Sequence, residues 1–515
     1  MRTLSSKFLL ALPLVGLLAS CTSEKIVYRD RDPFNEPVAA AKGFLGYYSQ
    51  ETKRTTCGNC HVGHQQDWAG TAHANAYATL PAGSQDFCYS CHTVTDKGNV
   101  VTGLAGWDAT KNLAYADVQC ESCHGPGLEH VRNPEVEANW PVARGHVAVT
   151  EESCASCHDG THHPYVAQWA SSRHGQLNAY PAGRPECAHC HEGKAAIRYL
   201  SGQDPLYVER DEGAALPITC TVCHDPHNAR FAGQLRASIN TPATEQNLCM
   251  RCHIRVTEPS GGSPRGNSPH GPQGAVLVGT AGYRPAGFAP DESQIVSSHG
   301  SETANPRLCA GCHVNAFEIT DPSGGFVFKA VGHTFGAIPC VDAQGVPTSN
   351  SNCAYTSTAR SYAGCTTSGC HASAQVTASA IASLRQQVAL LADQIWVDLN
   401  GNNAVDLPPV DGGYLPIIKR DFPGQLNPSD LVITPADGAE FNAKIFGEGR
   451  YGNGDGSLGV HNPFLYKALL AATIAELRST YSLPAPPAGV AEIIDQSLKE
   501  VRMRQPGLFG AAAPR

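Results

Sequence analysis

Cys57-Gly58-Asn59-Cys60-His61 opens a series of cysteine–histidine pentapeptides that runs through most of the sequence. Seven more Cys-x-x-Cys-His stretches follow, beginning at Cys88, Cys120, Cys154, Cys187, Cys220, Cys249 and Cys309. The first seven begin 31, 32, 34, 33, 33 and 29 residues apart. Repeat units this short cannot bury a hydrophobic core alone, so each must pack on its neighbours and on whatever the motifs hold.

A ninth candidate motif has a longer spacer. In Cys365-Thr366-Thr367-Ser368-Gly369-Cys370-His371, four residues separate the two cysteines. A disulfide beside a chance histidine is the alternative interpretation. We count the segment as a ninth motif because it resembles the longer-spaced attachment motif of some multihaem cytochromes.

Cys-x-x-Cys-His is the attachment motif of c-type haem, in which both thiols bond to the porphyrin and the histidine ligates iron. A zinc site or a redox dithiol would explain a single copy. Eight regular copies favour haem, and with the ninth motif we predict nine haems c. The predicted attachment residues are Cys57, Cys60, Cys88, Cys91, Cys120, Cys123, Cys154, Cys157, Cys187, Cys190, Cys220, Cys223, Cys249, Cys252, Cys309, Cys312, Cys365 and Cys370. The predicted proximal iron ligands are His61, His92, His124, His158, His191, His224, His253, His313 and His371.

The second axial ligand of each iron is predicted to be histidine as well. The chain has only 3 methionines, at the start, inside the seventh motif and near the end, which argues against methionine ligation. Nine of the other histidines are the candidates: His73, His130, His146, His174, His227, His270, His299, His333 and His461. Four are left over (His64, His162, His163 and His189), of which His163 is an alternative to one of the nine. An iron with two histidine ligands has no open position for a substrate.

The N-terminus is predicted to be a lipoprotein signal peptide over residues 1–20. An apolar run over residues 8–19 is too short to span a bilayer and ends in small residues before Cys21, which resembles a bacterial lipobox. Cys21 would then carry the lipid anchor, and residues 21–50 would form a tether. An ordinary signal peptide with a chance cysteine is the alternative. Export of the chain permits disulfides.

Two cysteines remain outside these motifs. Cys340 and Cys353 lie 13 residues apart, and we expect a disulfide between them rather than two free thiols.

Charge excludes one class of partner. Lys+Arg number 37 against 46 Asp+Glu, a net charge of −9, and this disfavours a nucleic-acid-binding protein, which usually carries a basic face.

The C-terminal sequence has helical periodicity. Apolar residues with 3-4-3-4 spacing predict a first helix: Ile381, Leu384, Val388, Leu391 and Ile395. Asn462 is a predicted N-cap with Pro463 after it, beginning a second helix that runs to about Thr480. A third helix is predicted from about Ala488 to Arg504. Asp455, between two glycines, is interpreted as a turn residue.

A calcium loop is a further prediction. Oxygen-bearing side chains alternate at Asp398, Asn400, Asn402 and Asp406. The EF-hand pattern is broken by Asn403 at its sixth position and by a proline at its twelfth, so an Asn/Gly turn is the alternative.

The expected fold is mainly α with much irregular structure and little β, wound round stacked haems and closed by a helical C-terminal cap. We predict a haem-dense domain over residues 51–255, a sparser domain with two haems and the disulfide over 256–372, and a helical region over 373–515. A short apolar stretch at Phe326-Val327-Phe328 is the clearest strand candidate.

Several motif contexts resemble those of bacterial multihaem c-type cytochromes. They are Trp68-x-x-x-x-His73, Cys120-Glu121-Ser122-Cys123-His124-Gly125-Pro126-Gly127, Trp169-Ala170-Ser171-Ser172-Arg173-His174, Cys223-His224-Asp225-Pro226-His227 and Gly459-Val460-His461-Asn462-Pro463. Such cytochromes include outer-membrane and extracellular electron-transfer proteins and the hydroxylamine oxidoreductase and octahaem tetrathionate reductase group. Thr22 after the lipobox suggests the outer membrane by the same resemblance.

The resemblance implies an electron carrier at the outer membrane, on its periplasmic or cell-surface face. Its partners would be other cytochromes, extracellular acceptors such as metal oxides, an outer-membrane porin, or further copies of the chain. The alternative is an oxidoreductase of nitrogen or sulfur oxyanions or of hydroxylamine, with one open haem. Against it, no Cys-x-x-Cys-Lys motif occurs; the chain does have 17 tyrosines, one of which could modify a haem as in hydroxylamine oxidoreductases.

Overall fold

Short helices joined by irregular chain make up most of the structure, a computed structural model of the 515-residue protein. It describes residues 41–99, 101–140, 151–206, 214–263, 266, 268–288, 295–350, 352–366, 370–427, 429–446, 454–457 and 459–504. The signal peptide, the lipid-anchor cysteine and most of the tether predicted from the sequence lie outside these residues, as does His146.

The α-helices of the described residues are α1 (Val62–Ala69), α2 (Asp86–His92), α3 (Gly106–Thr110), α4 (Cys120–His124), α5 (Leu128–Arg132), α6 (Glu151–His158), α7 (Tyr165–Ser171), α8 (Ala179–Ala182), α9 (Pro185–His191), α10 (Gly193–Leu200), α11 (Cys220–Cys223), α12 (Gln273–Leu277), α13 (Cys309–His313), α14 (Ala363–Thr366), α15 (Ala374–Ile395), α16 (Leu415–Asp421), α17 (Pro435–Phe446), α18 (Pro463–Tyr481) and α19 (Ala488–Arg504). Short 3₁₀ turns include Cys57–Asn59, His73–Asn75 and Ser298–Gly300. Strands β1 (Tyr47–Ser49) and β2 (Arg54–Thr55) form one antiparallel pair, and β3 (Phe317–Thr320) and β4 (Phe326–Ala330) form another. The predicted mainly helical class with little β is confirmed, as is the strand at Phe326.

The haem-attachment motifs occupy helical turns. Helices α2, α4, α6, α9, α11 and α13 contain both cysteines of a motif, and the first motif begins in the turn Cys57–Asn59. One helical turn places residues three apart on the same face, so the two thiols of each motif are presented side by side. The histidine follows at the end of that turn, where the helix stops.

The part of the chain that carries the motifs has little core of its own. Its buried hydrophobic residues fall into small separate clusters, such as the one formed by Phe44, Val94, Ala105, Trp107 and Tyr115. The other clusters there contain four or five buried residues each. Clusters of this size do not stabilise the stretch from Cys57 to His371, which agrees with a fold whose interior is completed by a bound group.

The C-terminal helices form the large hydrophobic core among the described residues. Helices α15, α17, α18 and α19 pack together, and Trp396, Phe441 and Leu469 are fully or almost fully buried between them. The predicted helix stripe lies in α15, and the Asn462 side chain accepts a hydrogen bond from the backbone N–H of Leu465 at the start of α18. The three predicted C-terminal helices are confirmed.

Residues 39–515 form one compact unit. The predicted boundaries at 255 and 372 within it stay predictions. Cys340 and Cys353 form a disulfide with their Cα atoms 6.0 Å apart, which confirms that pairing. Within the described part of the chain, none of the helices has both the length and the apolarity that a bilayer crossing requires.

Candidate metal centres

Eight pairs of histidine rings face each other at nearly one spacing. In every pair, one ring belongs to an attachment motif and the other is a predicted distal histidine. The centres of the rings lie 6.5 Å apart in His61–His130, 6.0 Å in His124–His227, 6.1 Å in His158–His73, 5.9 Å in His191–His270, 6.2 Å in His224–His333, 6.2 Å in His253–His174, 6.0 Å in His313–His461 and 6.1 Å in His371–His299.

This spacing fits a metal ion held between two imidazoles. Metal–imidazole nitrogen bonds are about 2 Å long and the ring centre lies about 1 Å beyond the nitrogen, so two rings on opposite sides of one ion have centres about 6 Å apart. Stacked rings in direct contact would be closer, as His64 and His227 are, with ring centres 4.9 Å apart. The residues present therefore fit an iron with two axial histidines.

The second motif is the one motif outside these eight pairs. His163 lies near His92, and its pKa is lowered first by burial and then by the positive charges of Lys329 and His92. His146, one of the nine predicted distal ligands, is outside the described residues. The alternative histidine, His163, thus lies near the second motif.

Two of the remaining histidines pack against aromatic rings. His162 lies 6.1 Å from Phe326, and His189 lies 5.1 Å from Tyr199, centre to centre. His64 packs beside the third motif pair, where it contacts His227. Within the described residues, none of these three histidines faces a motif histidine at the spacing of the eight pairs.

Burial lowers the pKa of three of the paired histidines, His124, His158 and His174, to about 4, and neighbouring histidines contribute to this lowering. Because a histidine must be unprotonated to bind a metal, the environment of these rings favours the ligating form.

Hydrogen bonds fix the orientation of several of these rings. A backbone carbonyl oxygen accepts a hydrogen bond from Nδ1 in His92 (Ala76, 2.7 Å), His224 (Gly233, 2.6 Å), His299 (Val460, 2.6 Å), His313 (Phe335, 2.8 Å) and His333 (Val331, 3.0 Å). A carbonyl can only accept, so Nδ1 carries the proton and Nε2 is left free to ligate.

His461 has a different partner. Its Nδ1 lies 2.6 Å from the carboxylate Oδ1 of Asp455, whose side chain is 0% exposed. The same carboxylate accepts hydrogen bonds from the hydroxyls of Ser457 and Tyr466. Burial raises the pKa of Asp455, but His461 and the two hydroxyls outweigh it and hold the pKa below its usual value. The bond from the backbone N–H of Ser457 to Asp455 Oδ2, 3.2 Å long, agrees with the predicted turn at Asp455. The additional bond to His461 was not part of that prediction.

Cysteines of different motifs lie close to each other. Five pairs of neighbouring sulfur atoms are Cys57 and Cys120, Cys91 and Cys157, Cys154 and Cys220, Cys190 and Cys252, and Cys249 and Cys309. Three further pairs are near enough for electrostatic interaction: Cys123 and Cys154, Cys223 and Cys252, and Cys312 and Cys370. All nine motifs are therefore connected through neighbours.

The residues predicted to bind calcium lie in one loop that internal hydrogen bonds hold together. The carboxylate of Asp398 accepts hydrogen bonds from the backbone N–H groups of Gly401 and Asn403. Asp406 accepts hydrogen bonds from the side-chain amides of Asn400 and Asn402, 2.7 Å each. The four predicted residues lie together, with these carboxylate oxygens engaged by N–H donors.

Two family descriptions match the chain in part. Residues 56–125 match the family "Cytochrome c554 and c-prime", and residues 214–257 match the family "Doubled CXXCH motif". These segments contain the first three motifs and the sixth and seventh, respectively.

Two curated relatives are each 24% identical to this chain over part of its length. The multiheme cytochrome MtrA of Shewanella baltica is 24% identical over 194 residues, which is 34% of this chain and 54% of MtrA. The C-type polyheme cytochrome OmcB of Geobacter sulfurreducens is 24% identical over 296 residues, 50% of this chain and 35% of OmcB. The chain thus spans about half the length of one relative and about a third of the other. Among solved structures, the outer cell wall cytochrome OcwA matches with a TM-score of 0.47 and 17% identity, covering 84% of this chain and all of OcwA.

Proposed function

We propose that this chain, a multihaem c-type cytochrome related to MtrA and OmcB, relays electrons through nine closely spaced haems, each held between two histidines. Haem iron, when bound, supplies one-electron redox chemistry. The protein supplies everything else: attachment thiols, axial imidazoles, their orientation and their burial. The observation that carries the proposal is the nearly constant distance between ring centres, 5.9 to 6.5 Å, in eight histidine pairs.

The cysteine contacts give an order for the relay. The first motif meets the third, which lies near the fourth; the fourth meets the sixth, the sixth lies near the seventh, and the seventh meets the eighth, which lies near the ninth. The second motif branches from the fourth, and the fifth from the seventh. We infer a path through seven sites with two side sites.

The two ends of that path lie at the protein surface. Cys60 in the first motif and Cys370 in the ninth are exposed, whereas the other motif cysteines are half-buried. Electron exchange with a partner requires a haem edge near the surface, so these ends are the proposed points of entry and exit. The proposed partners are other cytochromes or redox proteins, an outer-membrane porin, or a second copy of the chain.

The location follows from the N-terminal sequence. Lipidation at Cys21 would anchor the protein to the outer membrane, on its periplasmic or cell-surface face. The proposed acceptors there are extracellular, such as metal oxides, in anaerobic respiration. Labelling with a radioactive fatty acid, compared between the native chain and Cys21→Ala, tests the anchor directly.

A second candidate function is catalysis at one open haem. The second motif favours this alternative, because within the described residues no histidine ring faces His92 at the spacing of the eight pairs. If His163 does not ligate, that iron would offer a free position for nitrite, hydroxylamine or tetrathionate.

Quantitative EPR of the fully oxidised protein tests the relay against this alternative. Total haem is counted on the same sample, and nine per chain are expected. Low-spin ferric haem throughout supports the relay. A high-spin signal of about one haem per chain contradicts it and directs the next assays to the three substrates named above.

A separate variant tests whether the ninth motif carries a haem. In a Cys365→Ala, Cys370→Ala double variant, the haem count should fall from nine to eight. An unchanged count would show that this motif, with its longer spacer, carries no haem.

Calcium at Asp398, Asn400, Asn402 and Asp406 stays a prediction, and calorimetric titration of the protein with calcium tests it.

A further inference from the structure

One distal histidine is bonded to a buried negative charge. His461 Nδ1 lies 2.6 Å from Asp455 Oδ1, and no surface of the Asp455 side chain is exposed. Five other paired or motif histidines direct Nδ1 to a neutral backbone carbonyl instead. The acceptor bonded to His461 is charged, whereas the acceptors bonded to the other five histidines are neutral, and the hydrogen bonds are of similar length.

The carboxylate is held in place by groups that cannot neutralise it. The hydroxyls of Ser457 and Tyr466 donate to Asp455 Oδ2, and the backbone N–H of Ser457 lies 3.2 Å from the same oxygen. Tyr466 is fully buried in α18 and packs on Phe446. Among the described residues that bond Asp455, His461 alone can carry positive charge.

A carboxylate behind an axial histidine makes that histidine a stronger electron donor. The hydrogen bond draws the Nδ1 proton toward the carboxylate, so more electron density reaches Nε2 and the metal it binds. A stronger donor stabilises ferric over ferrous iron and therefore lowers the reduction potential.

We propose that Asp455 is a positioning residue that gives the haem site of Cys309, Cys312, His313 and His461 the lowest reduction potential in the protein. The inference rests on the proposed function, since it presumes that His461 is an axial ligand. In the inferred path this eighth site lies between the seventh and the ninth. An electron moving from the seventh to the eighth site would then take an uphill step.

The chain contains a matched comparison at the third site. His227 Nδ1 lies 3.6 Å from Asp225 Oδ1, beyond hydrogen-bonding distance. Asp225 is partly exposed, and its other oxygen lies 3.3 Å from Arg236. The longer distance, the partial exposure of Asp225 and its second partner Arg236 should make its effect on His227 weaker than that of Asp455 on His461.

Stepwise redox titration of the full nine-haem protein tests the proposal, with the low-spin EPR signals recorded at each potential. In Asp455→Asn the side-chain shape is kept and the charge removed, so the lowest-potential component, about one haem, should shift upward. We expect at least a tenfold change in its equilibrium constant, about 59 mV for one electron. In Tyr466→Phe the carboxylate loses a donor and keeps its charge, so the same component should shift downward. Asp225→Asn should leave it unchanged.

Opposite shifts in the two variants support the proposal, since a merely structural role would move both the same way. Shifts in one direction, or no shift in Asp455→Asn, overturn it. If Asp455→Asn loses a haem, Tyr466→Phe decides alone: a downward shift supports the proposal and an unchanged component overturns it. A high-spin signal in the native protein is a separate result, which counts against the relay rather than against Asp455.

Discussion

His73 and His158 face each other with ring centres 6.1 Å apart, although His73 follows the first motif and His158 closes the fourth. His73 stands in a 3₁₀ turn and His158 at the end of α6, so two short elements from separate repeats build one site. The pairing brings histidines of separate repeats together, whereas the repeats of a solenoid pack through a continuous apolar core.

Replacing a distal histidine should open one iron. In His73→Ala, we expect about one ninth of the ferric haem to change from low-spin to high-spin, because His158 loses its opposed ring. EPR of the oxidised variant measures the change. His189→Ala is the control, since His189 packs on Tyr199 and faces no motif histidine; a high-spin signal there, or none in His73→Ala, would refute the pairing.

The second site separates two candidate ligands. We expect His163→Ala to give one high-spin haem and His146→Ala to give none, because His163 lies near His92 in the structure. The same EPR measurement on both variants checks this. If His146→Ala gives the high-spin haem and His163→Ala does not, His146 is the ligand, as in the set of nine predicted from the sequence. If neither variant gives high-spin haem, His92 has another partner.

Glu121 should make stability depend on pH. Its carboxylate accepts hydrogen bonds from the backbone N–H groups of Leu45, Gly46 and Gly127, at 2.8–2.9 Å. Burial nevertheless raises its pKa from 4.5 to about 7. A pKa raised in the folded state means that its contribution is complete below pH 4.5 and is lost as pH rises through 7, at a cost on the order of 3 kcal/mol.

Denaturant titrations at pH 4.5 and 7.5 measure that loss. The fall in the free energy of unfolding between the two pH values should be smaller in Glu121→Gln by about that amount. Glu129→Gln, an exposed position with the same change of charge, should behave as the native protein does. An equal pH dependence in Glu121→Gln and the native chain would contradict the raised pKa.

The disulfide should stabilise the region around the ninth motif. Cys340 and Cys353 close a loop of 13 residues, and the Arg360 guanidinium donates to the carbonyl oxygens of Ile338 and Cys353 on either side of it. In a Cys340→Ser, Cys353→Ser variant we expect a loss of about 3 kcal/mol from loop entropy. Thermal unfolding followed at the haem absorption measures it, and an unchanged midpoint would show that the bridge adds nothing.

Local sequence carries the attachment motifs and the long helices, and those predictions needed no three-dimensional information. The stripe from Ile381 to Ile395 has the period of a helix, and Asn462-Pro463 is a strong helix start; both depend on neighbours within a few residues. The cysteine pair at 340 and 353 followed by elimination, because every other cysteine already had a role.

Partnerships between distant residues could not be predicted in the same way. Which distal histidine opposes which motif depends on the path of irregular chain between short helices, and that path has no periodic signal. His163, which follows His162 and precedes Pro164, is an alternative to one of the nine candidates, and nothing in the local sequence says which one it replaces. Asp455 has a turn-like context, and its role depends on His461 and Tyr466 being packed against it.

The uneven distribution of apolar core has a consequence for how the protein is made. The helices from α15 onward supply most of the large apolar core, whereas the clusters around Phe44 and Ala196 are small. In a chain that has received few of its haems, we therefore expect the C-terminal helices to be packed and the motif-bearing stretch before them to be open to proteases. Proteolysis would then remove incompletely assembled molecules and spare complete ones.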